Sequence, residues 1–214
     1  MAEPLDYATI TEIFRRFHAA EPEPKGELVH TNAFTLLVAV ALSAQATDKG
    51  VNRATEALFR IADTPGKMLA LGEEGRIEHI RTIGLYRNKA KHVIRLSQML
   101  VDRFGGEVPS SRAALMSLPG VGRKTANVVL NMWWRHPAQA VDTHIFRVAN
   151  RTRVAPGKDV AAVERAIEDQ VPAPYQLHAH HWLILHGRYT CKARKPACGA
   201  CLISDLCPWE DKTA

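Results

Sequence analysis

The stretch SLPGVGRKTANVVLN, residues 117–131, holds two glycines, an Arg-Lys pair and a threonine, the ingredients of a phosphate-binding loop. A Walker-type loop needs Gly, four residues, then Gly-Lys and Ser or Thr, following a strand. Here Ser117 stands five before Gly122, Arg123 stands after it, and Ala114, Leu115 and Leu118 in the preceding segment share one side of a helix. The nucleotide reading fails on three counts. What remains is a helix, a tight Gly120-Val121-Gly122 turn and a second helix with Ala126, Val129, Leu130 and Trp133 at helical spacing. Glycines permit positive φ and close backbone approach, and the amides that open a helix attract an anion. A DNA phosphodiester suits that geometry, and so does a purely structural turn between packed helices.

Outward from the turn, the chain reads as helix after helix. Ile10, Ile13, Phe14 and Phe17 follow the i, i+3, i+4, i+7 rule until Pro22 and Pro24. TNAFTLLVAVALSAQATD, residues 31–48, opens on a cap at Thr31 or Asn32 and is apolar nearly all round, as in the middle of a bundle. Thr55, Leu58 and Phe59, then Ile77 and Ile80, mark shorter helices, and IGLYRNKAKHVIRLSQMLVDRFGGEVP gives a long one ended by Gly105-Gly106. DTHIFRVANR starts a further helix behind Asp142. No strand alternation is found, so the expected class is all-α. At 214 residues, 46% of them hydrophobic, the chain suits one large domain or two lobes, and no compositional linker marks a boundary. Ala33 to Leu42 is too short to cross a bilayer and MAEPLDY is no signal peptide, which predicts an intracellular protein.

Charge narrows the partner. Lys and Arg outnumber Asp and Glu 28 to 22, for a net charge of +6, which favours nucleic acid over membrane. Between Gly120 and Arg153 the basic residues Arg123, Lys124, Arg135, Arg147, Arg151 and Arg153 face only Asp142, whereas a solvated face mixes its signs. Lys124, at the mouth of a helix beside Arg123, is expected to have its charged form disfavoured by the dipole and the neighbouring cation. An ordinary lysine is neutral only about four times in ten thousand at pH 7, so a nucleophilic amine needs such help; the same position also fits a surface lysine on a phosphate. Asp142 reads as a helix cap, and a capping carboxylate kept ionised can also stabilise developing positive charge.

The four cysteines, Cys191, Cys198, Cys201 and Cys207, are separated by six, two and five residues. So compact a set in a reducing compartment points to metal, and the spacing leaves zinc and a 4Fe-4S cluster equally open. His178, His180, His181 and His186 lack partners at ligand spacing and read as core or supporting histidines, with Trp182, Leu183 and Leu185 packing this part against the rest.

LPGVGRKTA, VDTHIFRV, LSAQATD, IGLYRNKA and the terminal cysteine set together resemble the endonuclease III family, the helix-hairpin-helix DNA glycosylases that carry an iron-sulfur cluster. The resemblance implies a helical barrel over about residues 26–136 bearing the hairpin (about 109–136), a cluster lobe made from 1–25 with 137–214, and a DNA cleft between them. It implies a bifunctional DNA glycosylase and abasic-site lyase of base excision repair acting on oxidised pyrimidines in duplex DNA, as a cytoplasmic, nucleoid-associated monomer. Lys124 takes the Schiff-base position and Asp142 the base-excision carboxylate. The four cysteines hold a 4Fe-4S cluster. Gly120, Val121, Gly122 and Arg123 meet the phosphate, as does Lys195, with Lys192 and Arg194 in the same intercysteine loop. Gln45 and Leu85 fill the gap left by the extruded base, Asp48 helps order the pocket, and Arg87 is a local variation near the wedge. Two rivals stay open: a sister glycosylase for mismatched adenine or thymine, a group that generally lacks lysine at the position of Lys124, and a non-enzymatic helix-hairpin-helix binding module or electron-transfer cluster protein.

Overall fold

The structure is a computed structural model describing residues 3–213, the side chains of Glu73 and Arg76 excepted. Among the described residues it is all-helical, with eleven α-helices, two 3-10 turns and no strand. None of these helices is long and apolar enough to cross a membrane. The chain divides into two compact units: its beginning through Gly26 joins its end from His136, and Glu27–Arg135 forms the other.

The central helix of the 27–135 unit is α2 (Ala33–Leu42), opened by a capping box in which Asn32 Oδ1 accepts the Thr35 amide while Thr35 Oγ1 accepts that of Asn32. Leu36, Leu37, Val38, Ala39 and Leu42 are fully buried, each large side chain among them contributing about 1.5–3 kcal/mol of hydrophobic stabilisation. The apolar run predicts a longer helix than is found. It stops at Leu42, Gln45 enters the left-handed region at φ 55°, and Thr47 caps α3 (Asp48–Ile61). A short helix α4 (Pro65–Ala70), not anticipated from the periodicity, begins at a Thr64 cap with proline at its first position. Then come α5 (Gly72–Ile80) and the long α6 (Tyr86–Phe104), closed by Gly105 at φ 61°. The hairpin is α7 (Arg112–Met116), a turn and α8 (Arg123–Trp134).

In the other unit, α1 (Tyr7–Ala20) lays Ile10, Ile13, Phe14 and Phe17 into a core shared with α9 (Thr143–Thr152), α10 (Val160–Gln170) and α11 (Gln176–Tyr189). Trp182 and Leu183 are buried in that core, and Trp182 Nε1 donates to Glu21 O at 2.8 Å. Arg16 ties α1 to the C-terminal segment, donating to Asp205 Oδ1 at 2.6 Å and to Leu202 O at 2.9 Å. Gly187 admits nothing larger, since a Cβ there would lie 2.9 Å from His144 Cβ, so α9 and α11 meet backbone to backbone.

Of the α11 histidines, His180, His181 and His186 are buried and His178 is half-buried. His181 is 7% exposed, its Nδ1 has no hydrogen-bond partner, and burial, with His178 adding to it, pushes its pKa down to about 4. Below about pH 6.5 the unfolded chain takes a proton that the folded one refuses, so this residue's contribution falls away as pH drops toward 4. At about 1.36 kcal/mol per pH unit, the loss between neutrality and about pH 5 is about 2 kcal/mol. Urea unfolding of His181→Leu is therefore expected to lose about 2 kcal/mol less than wild type over that interval. Identical acid limbs would refute it.

Candidate active site and metal centre

The turn that opens α8 works through its two glycines in different ways. Gly120 has φ +80°, and a Cβ there would lie 2.9 Å from both Cβ and Cγ of His92, so the turn is seated against α6 as only glycine allows. Gly122 has an ordinary φ of −86° and open space where a side chain would stand. As N-cap it offers no side chain to cover the helix mouth, and a phosphate can approach the backbone. Val121 between them is buried and donates its N–H to Leu118 O at 3.1 Å, so it holds the turn in shape. Arg123 and Lys124 follow on the first turn of α8, both exposed. Gly120→Ala combines left-handed strain with a clash against His92, and is expected to cost about 2 kcal/mol or more in thermal or urea unfolding.

In the same unit the loops of Gln45 and Leu85 meet: a Cβ on Gly84 would lie 4.0 Å from Gln45 O. Both residues are left-handed, at φ 55° and 59°, which costs a non-glycine residue about 1–2 kcal/mol each. Both are exposed, Leu85 by 60%. Exposed side chains carried on adjoining left-handed turns are of a kind that can enter a base stack. Asp48 lies in the first turn of α3, and Arg87 places its guanidinium 5.5 Å from the centroid of the neighbouring Tyr86 ring.

Asp142 belongs to the other unit. It caps α9, Oδ1 accepting the amides of His144 at 2.8 Å and Ile145 at 2.9 Å, while His144 Nδ1 lies 3.1 Å from Oδ2. The carboxylate is 13% exposed. Held by amides and by an imidazole, it is oriented by its own helix.

The four cysteines line one cavity with His186, Arg151 and Trp209. None is in a disulfide. Burial pushes the thiols of Cys201 and Cys207 up, so binding a metal there releases protons. A tetrahedral ion would need its sulfurs within about 4 Å of one another. No group of three or more His, Cys, Asp or Glu side chains among the described residues stands ready for a single ion. Four soft thiolate donors lining one cavity fit an iron-sulfur cluster. The intercysteine loop exposes Lys192, Arg194 and Lys195, the last at φ 50°. Sequence reasoning missed what supports this loop. Arg147 donates to Cys191 O at 3.0 Å and Gly187 O at 2.8 Å, and Arg151 to Lys192 O at 2.7 Å and Ala193 O at 3.1 Å. Two members of the basic run assigned to DNA are thus turned onto backbone carbonyls.

Residues 38–173 match the family model described as HhH-GPD superfamily base excision DNA repair protein, and residues 191–207 that of the iron-sulfur binding domain of endonuclease III. The class follows: a helix-hairpin-helix DNA glycosylase with a cluster-binding C-terminal segment. Endonuclease III of Haemophilus influenzae is 55% identical over 201 residues, 94% of this chain and 95% of that protein. Endonuclease III of Escherichia coli K12 is 56% identical over the same length and shares. A trapped endonuclease III–DNA covalent intermediate superposes with a TM-score of 0.88 at 44% identity, covering 95% of this chain and 96% of that one. A thermostable thymine-DNA glycosylase shares the fold at a TM-score of 0.80 and 24% identity. The chain belongs to the endonuclease III family. It is a DNA glycosylase and abasic-site lyase of base excision repair, and its cofactor is a 4Fe-4S cluster.

Proposed function

We propose that Lys124 and Asp142 carry the reaction and that the substrate is duplex DNA containing an oxidised pyrimidine or an abasic site. The observation that carries this reading is the exposed Lys124 amine on the first turn of α8, next to a glycine turn open to a phosphate. The helix mouth and Arg123 hold a phosphodiester, which sets the adjoining deoxyribose before Lys124. Asp142 stabilises positive charge on the sugar as the damaged base leaves with its bonding electrons. The neutral amine forms a bond to C1′ and gives up a proton; the C1′–O4′ bond then breaks, its electrons and a proton going to O4′, and the opened sugar is left joined to the lysine as an iminium. Loss of a C2′ proton then forms the C2′–C3′ double bond and expels the 3′ phosphate, and water hydrolyses the iminium to return the lysine.

Gln45 and Leu85 fill the space of the extruded nucleotide, with Asp48 behind them, and Lys195 meets a phosphate from the cluster loop beside Lys192 and Arg194. Cys191, Cys198, Cys201 and Cys207 ligate the cluster. Residues 26–136 serve as the barrel and 1–25 with 137–214 as the cluster lobe of an enzyme acting as a monomer on chromosomal DNA in the cytoplasm. Support comes from the family, and from the covalent DNA intermediate trapped for a relative 44% identical. A panel of duplexes bearing an oxidised pyrimidine, a mismatched adenine, a mismatched thymine or no lesion tests the substrate. Release and nicking are expected on the first alone, and preference for a mismatched base would overturn the assignment.

A further inference from the structure

Arg151 does more than brace the intercysteine loop. Its Nη1 lies 3.7 Å from Cys191 Sγ, and its backbone carbonyl is 3.9 Å from Cys207 Sγ, so one residue touches two of the four sulfurs. Its guanidinium is stacked on Trp209, 4.0 Å from the ring centroid, two residues beyond the last cysteine. The same two fork nitrogens that reach Lys192 O and Ala193 O also fix its plane. The stack and the fork together hold the guanidinium in this setting, and both Arg151 and Trp209 border the cysteine cavity.

We propose that Arg151, clamped beneath Trp209, is a positioning residue for the iron-sulfur cluster. It supplies a charged N–H to the Cys191 sulfur and, held in place by the indole, covers that side of the cavity against water, which sets how firmly iron is held and how readily the cluster is oxidised. Hydrogen bonds to sulfur, nearby charge and solvent exposure govern both properties. A cation beside a thiolate favours the more negative, reduced state of the cluster, so removing it makes oxidation easier. Trp209 acts only through Arg151, by holding the plane and keeping water off it.

The proposal rests on the four cysteines being the cluster ligands, and the experiment separates the two. Holoenzyme is mixed with excess iron chelator and the visible iron-sulfur absorbance followed, and the cluster midpoint potential is measured on the same preparations. Arg151→Met is expected to release iron about 10-fold faster than wild type, with its oxidation equilibrium displaced about 10-fold toward the oxidised cluster. Trp209→Leu is expected to move both quantities the same way by a smaller factor, Trp209→Phe to stay near wild type, and the double variant to be no faster than Arg151→Met alone. Unchanged release and potential in Arg151→Met overturn the proposal. So does an effect of Arg151→Met that Trp209→Leu does not share, or a potential that stays fixed while only release quickens, which a merely structural role predicts. Wild-type protein that binds no iron-sulfur chromophore overturns the ligand assignment instead.

Discussion

Lys124→Gln is expected to abolish strand cleavage at abasic sites, lowering the single-turnover rate by at least about 10³-fold while duplex affinity changes little. The size of the effect follows from what is removed. An amide cannot form an iminium, so no covalent intermediate arises and the C2′ proton keeps its ordinary acidity. The small change in affinity follows from what stays: Gly120 and Gly122 still set the turn, and the phosphate contacts proposed for Arg123 and the mouth of α8 are untouched. One cationic phosphate contact fewer weakens binding and flattens its salt dependence by about one unit of slope at most. Lys124 is exposed, so the variant is expected to unfold within about 0.5 kcal/mol of wild type. Borohydride reduction during turnover gives the second readout, covalent protein–DNA adduct in wild type and none in the variant. An adduct that persists in Lys124→Gln moves the nucleophile elsewhere, and undiminished cleavage ends the Schiff-base account.

The hairpin could be read from the sequence because its signals are local. Gly120 stands at a positive φ that favours glycine, and Asn32 and Asp142 cap the helices that follow them with their own side chains. Such features depend on a few neighbouring residues. The end of α2 was less legible, because LSAQATD continues an apolar run and only the left-handed Gln45 and the Thr47 cap divide it. For α4 the signal was present in Thr64-Pro65, a cap followed by a proline at the first helical position, and periodicity alone passed over it. The direction in which a basic side chain turns was not legible at all. Arg147 and Arg151 belong to the same run as Arg123 and Lys124, yet they reach carbonyls some forty residues away, at Gly187, Cys191, Lys192 and Ala193. Only the packing of α9 against α11, closed by Gly187, brings those carbonyls within range. A charge count over a segment therefore overstates the surface it offers to DNA.

Asp142→Asn is expected to separate the capping of α9 from the chemistry proposed for this carboxylate. Asparagine caps helices as well as aspartate does, and its Oδ1 can still accept the amides of His144 and Ile145 that Asp142 now holds at 2.8 and 2.9 Å. The amide nitrogen then falls where Oδ2 stood, 3.1 Å from His144 Nδ1, and a neutral imidazole with its proton on Nε2 can accept from it. Thermal unfolding is therefore expected within about 0.5 kcal/mol of wild type. Base excision is expected to fall by about 10²–10³-fold, since the full negative charge opposite the developing oxocarbenium is lost and a dipole replaces it. Cleavage of a pre-formed abasic site should suffer less, because there the base has already left and Lys124 needs no help with that step. The ratio of the two activities is thus the quantity to measure: glycosylase and lyase rates on matched duplexes, lesion against abasic, in single turnover. Equal losses in both would assign Asp142 to proton transfer in the lyase step. A loss in neither would leave it as a cap alone, and the carboxylate that drives base departure would have to be sought at Asp48.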